Sequence, residues 1–103
     1  MNHFTDTKGY NGIRAFSIWR FRAAKPPGLR PFGAYFTTLS AQTRKLAKRL
    51  GIPKSKVEYV FSFIDRGDLK PLPGGRGAYI SYSPTDYDVE PDRQLVHGKA
   101  KNP

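Results

Sequence analysis

Alternation is clearest in the middle of the chain. In KVEYVFSFI, residues 56–64, Val57, Tyr59, Phe61 and Phe63 fall on one side of an extended segment and Val60 and Ile64 on the other. Apolar positions on both sides predict a central strand. SIWRFR sets Ile18 and Arg20 against Trp19 and Phe21, GAYFTTL follows a Pro/Gly-rich loop, and AYISYS follows a long turn, RGDLKPLPGGRG; each reads as a strand. DYDVEPDRQLVHG holds one or two more, interrupted at Pro91, and NHFTD reads as a short opening strand. Helical spacing appears twice. Asp6 or Thr7 caps a short segment carrying Tyr10, Ile13 and Phe16, weakened by Gly9 and Gly12. Ser40 is placed to cap AQTRKLAKRLG, with Leu46 and Leu50 on one face and a stop at Gly51 and Pro53. Five or six strands and two short helices predict a single α+β domain over 1–103 with a mixed or antiparallel sheet; KAKNP, residues 99–103, reads as a frayed tail.

Composition narrows the chemistry. A chain of 103 residues supports one modest core. It has no cysteine, which removes disulfides, thiolate metal sites and cysteine nucleophiles, and its two histidines, His3 and His97, form no metal-binding spacing. No apolar run approaches the roughly 20 residues of a membrane span, and no secretion signal opens the chain. Charge matters more. The formal net charge is +10, and no acid stands between Asp6 and Glu58, whereas Asp86, Asp88, Glu90 and Asp92 fall together. Such a field favours polyanionic partners, nucleic acid first.

Few candidate sites survive comparison with plainer explanations. No serine lies in G-x-S-x-G. PGGRG is a turn before it is an anion nest, and RGD at 66–68 occurs in turns by chance. The carboxylates of DYDVEPD would raise one or two of their own pKa values by crowding, but a solvated strand edge accounts for them equally. His3 on the first strand and Tyr35 behind the Gly33 turn are more pointed. A tyrosine face suits a cationic heterocycle, and a histidine nitrogen suits a ribose hydroxyl. Tyr35 is also a reasonable core residue. A basic module stacking RNA bases on Tyr10, Trp19, Phe21 and Tyr35 is the non-enzymatic alternative.

HFTDTKGYNGI followed by FGAYFTTLS contains His-x-Thr, Gly-x-x-x-Ile and Gly-x-Tyr-Phe-Thr in order. Over residues 2–50 the chain resembles the His-Tyr branch of the ADP-ribosyltransferase superfamily. Within it, the likeness is to HYD1-type domains at the C-terminal tips of bacterial polymorphic (Rhs-like) toxins. The resemblance implies a compact split-sheet fold and mono-transfer of ADP-ribose from NAD, with no metal. It gives His3 the ribose, the backbone around Phe4 the nicotinamide amide, Thr5 the neighbouring hydroxyl position, Tyr35 the nicotinamide ring and Thr43 a supporting hydroxyl. The third signature residue, an acid before a late strand, falls to Asp92, with Glu90 and Asp88 behind it; Gln94 occupies the slot next to the strand. A toxin tip further implies a monomer delivered by a secretion system into a target cell's cytoplasm, with no membrane partner and a cognate immunity protein. The expected target lies in the translation machinery, as ribosomal RNA or a factor such as elongation factor Tu, and an NAD glycohydrolase is the rival within the enzyme class.

Overall fold

The computed structural model describes residues 1–26, 30–72 and 81–101. Among these residues eight short strands and two helices follow in order: β1 (Asn2–Thr5), α1 (Thr7–Arg14), β2 (Trp19–Phe21), β3 (Ala34–Phe36), α2 (Leu46–Leu50), β4 (Tyr59–Phe63), β5 (Lys70–Pro71), β6 (Ser81–Ser83), β7 (Tyr87–Val89) and β8 (Gln94–Lys99). They form three small antiparallel sheets, β1-β4-β8, β2-β7 and β3-β6-β5. The α+β class expected from the sequence is observed. The strands outnumber the five or six anticipated because β5 is a two-residue pairing inside the long turn and DYDVEPDRQLVHG yields both β7 and β8. The PGGRG segment lies outside the described residues.

β4 is central, as its two apolar faces require. On one side Phe61 and Phe63 join Tyr10, Trp19, Phe21, Phe36, Tyr87 and Val89 in an aromatic core. On the other, Phe4, Leu46, Leu50, Val57 and Ala100 form a second cluster, which α2 covers and Val60 flanks. Val57 therefore does not share a face with Phe61. It lies in a 3-10 turn, Lys54–Val57, so the alternation begins only at Tyr59.

Two further expectations change. The helix capped by Ser40 is only five residues long. Ser40 instead closes a turn, its Oγ accepting from the Gln42 amide at 3.2 Å and its carbonyl from the Thr43 amide at 3.1 Å. Lys45, left-handed at φ 54°, then starts the helix. Lys99 and Ala100, read as the start of a frayed tail, are held: Lys99 pairs with Tyr59, and the Ala100 amide donates to the Glu58 carbonyl at 2.8 Å. By contrast, α1 is capped as expected. Asp6 accepts from the Gly9 amide at 2.8 Å and ties Lys56 at 2.6 Å.

Candidate functional site

Strand register determines what the first strand presents. Met1 and Phe63 exchange both backbone hydrogen bonds, so His3 and Thr5 also direct their amides toward β4. Asn2 and Phe4 face the opposite edge. Asn2 exchanges two bonds there with Thr37, at 2.8 and 3.0 Å. In the same register the next partner of Phe4 would be Tyr35, but the strands have parted by that point. The Asn2–Thr37 bridge is isolated, so among the described residues no strand bridge continues from it to Phe4, whose backbone faces that edge. An adjacent donor and acceptor on a strand edge is the complement of a planar carboxamide.

His3 stands at this fork. Its Nδ1 lies 3.2 Å from the Tyr35 carbonyl and, as a protonated nitrogen, donates to it, leaving Nε2 as the acceptor. The ring is half-buried against Phe21 and Phe36, with centroids 4.7 and 5.7 Å away. This burial lowers its pKa from 6.5 to about 4, the Tyr35 contact pulling the other way. His3 is thus a neutral hydrogen-bonding group at neutral pH.

Tyr35 meets His3 through its backbone rather than its ring. Phe36 points into the core, so the Tyr35 side chain projects from the other face of β3. There it stacks with Tyr82 at 5.8 Å and donates its hydroxyl to the Pro31 carbonyl. Burial raises its pKa, opposed by Arg30.

A half-open cleft of about 950 Å³ begins at Thr5, the residue after the Phe4 edge. Gly9, Gly12, Ile13 and Phe16 form its α1 side, Ile18, Arg20 and Arg22 its β2 side, and Lys8 and Lys56 add charge. Phe16 is 73% exposed. Arg20 is held bidentately by Asp88, at 2.8 and 3.0 Å. The cleft thus combines cations suited to phosphates with apolar surface suited to a flat ring, and its volume is that of a small-molecule site. Compared with known protein families, with curated proteins and with solved structures, the chain matches none.

Of the candidate site residues Thr5 alone lines this cleft; His3, Phe4, Tyr35, Thr43, Asp92 and Gln94 do not, though Gln94 bonds its Ser17 wall. Asp92 is exposed on a 3-10 turn, Pro91–Arg93, at the Met1 end of the central sheet, whereas the cleft opens from the Thr5 end. Gln94 donates from Nε2 to the carbonyls of Ser17, at 2.7 Å, and Val89, at 3.0 Å, bracing the segment between α1 and β2. Thr43 sits in the turn before α2, not in the helix. The acidic strip behaves differently from the crowding expectation: Asp88 is lowered below its usual range by its bond to Arg20. Asp68 of the RGD turn is tied to Arg66 at 2.9 Å and to the Tyr87 hydroxyl at 2.5 Å. Sequence reasoning missed the cleft because its walls come from opposite sides of a turn and from Lys56, fifty residues beyond Asp6.

Proposed function

We propose that the protein is an NAD-dependent mono-ADP-ribosyltransferase. The observation that carries this reading is the amide edge of Phe4, which no strand bridge to β3 covers among the described residues, set between His3 and Thr5 beside the Tyr35 strand. In this reading the nicotinamide carboxamide closes that edge, and neutral His3 takes a ribose hydroxyl with Nε2. The cleft takes the rest of the dinucleotide: Arg22 and Lys8 reach the pyrophosphate and Ile13, Phe16 and Ile18 flank adenine. The Tyr35 strand borders the nicotinamide end. The C1–N bond breaks, nicotinamide leaves as a neutral base with the electron pair, and a nucleophile on a target in the translation machinery bonds to C1 and releases its proton to solvent. The protein's share is orientation and shielding. Delivery into a target cell and neutralisation by an immunity partner belong to the same proposal.

The test is incubation with labelled NAD in a bacterial translation extract. The expected result is nicotinamide release with label on a macromolecule. His3→Ala and Tyr35→Ala lose turnover, the first by removing the hydroxyl acceptor and the second by loosening the strand whose carbonyl holds the His3 ring. Gln94→Ala, which removes two structural hydrogen bonds, costs less activity but about 1–2 kcal/mol of stability. Full labelling by both His3→Ala and Tyr35→Ala refutes the site. Nicotinamide released without label makes the protein a glycohydrolase, and no NAD consumption removes the enzyme.

A further inference from the structure

Charge is segregated by layer. The central sheet separates the aromatic core from the α2 layer. On the aromatic side three acids are held by arginines: Asp88 by Arg20, Asp68 by Arg66, and Glu90 within 3.9 Å of both Arg66 and Arg93. On the α2 side, Arg44, Lys45, Lys48, Arg49, Lys54 and Lys56 are all exposed, and residues 44–56 contain no acid. Among the described residues only Lys56 of these six has an acidic partner, Asp6. Glu58 is the one other carboxylate nearby in sequence.

The surface chemistry of this layer identifies its partner. Leu46 and Leu50 are buried beneath the cations, so the patch carries no exposed large apolar anchor. A protein interface needs such anchors at its centre, and a membrane-surface helix needs them for insertion. A phosphate backbone needs neither. α2, at five residues, is also too short to fill the major groove of a DNA duplex with base-reading side chains. Lys56 belongs both to the cationic layer and to the cleft wall. A strand tracked across α2 is thereby led to the cleft mouth, where only an unstacked nucleotide is flexible enough to reach. Single-stranded segments of RNA present such nucleotides.

We infer that the α2 face is a docking surface for the phosphate backbone of single-stranded RNA, making RNA the acceptor that is carried to the cleft. The docking rests on charge layout alone; the word acceptor rests on the transferase reading.

The two are separated by measuring binding without NAD. A fluorescent single-stranded RNA oligomer is titrated with the intact protein at several salt concentrations, beside a DNA duplex and phosphatidylserine-containing vesicles. Five phosphate contacts on a single strand correspond to about a hundredfold loss of affinity between 50 and 200 mM salt. Lys48→Glu/Arg49→Glu should weaken RNA binding at least about tenfold and flatten that slope, while Lys25→Glu/Lys70→Glu, an equal change in net charge on other surfaces, should leave both nearly unchanged. Circular dichroism checks that each variant is folded. Equal loss in both pairs, or tighter binding to duplex or vesicles than to RNA, overturns the inference. If RNA binding behaves as expected and NAD is never consumed, only the transferase reading fails.

Discussion

His3 shows how one side chain links folding to the proposed chemistry. Its partly buried ring stays neutral down to about pH 4, whereas in the unfolded chain it takes a proton near 6.5. The unfolded state therefore binds more protons between those values, and stability must fall as pH drops from about 6.5 to about 4. The lowered carboxylates Asp6, Asp68 and Asp88 act in a separate window. Their contribution is complete above the ordinary value of 3.8 and is lost only as pH falls through their lower folded values. Thermal melting across pH should thus show a decline between pH 6.5 and 4 that His3→Gln removes; an identical decline in that variant would mean that the burial of His3 does not produce it. The same neutral state makes His3 a hydrogen-bonding partner for a hydroxyl rather than a fixed cation competing with the charge of nicotinamide.

α1 is where the cleft depends on what a side chain would occupy. A Cβ on Gly9 would collide with the Thr5 hydroxyl and approach an Asp6 carboxylate oxygen at 3.3 Å, whereas one on Gly12 meets nothing within 4 Å. Gly9→Ala should cost about 1–3 kcal/mol by crowding, and Gly12→Ala should gain about 0.5–1 kcal/mol from helix propensity. Chemical denaturation decides it, and an equal effect at both positions would contradict the placement of α1 over β1. Both glycines are visible in the sequence as helix-weakening residues, but only the approach of α1 to Thr5 distinguishes them. The cap at Asp6 and the alternation of Tyr59, Phe61 and Phe63 were legible because they are local. The late start of α2 was not, since nothing in the sequence marks Lys45 as left-handed. Nor was the assignment of Val57 to the second cluster, which follows from a 3-10 turn that breaks the period of two.

At the scale of the whole molecule, two cores share one central strand, and the sheet between them separates an acid-bearing layer from a cationic one. The charge imbalance was evident from the sequence; its division between the faces of a sheet was not, because that depends on which side of β4 each segment covers. The edge at Phe4, past the last bridge to β3, is of the same kind. Which amides of β1 face β4 and which face away follows from register, with Met1 and Phe63 fixing the first and Asn2 the second. That edge is the central claim, and the backbone amide of Phe4 reports on it directly. In a titration of the intact protein with NAD followed by nitrogen–proton correlation spectra, the Phe4 amide should shift downfield and saturate, with residues along the cleft from Thr5 to Arg22 moving at the same midpoint. Saturable shifts elsewhere with Phe4 and Thr5 unmoved, or no shifts at all, would contradict it.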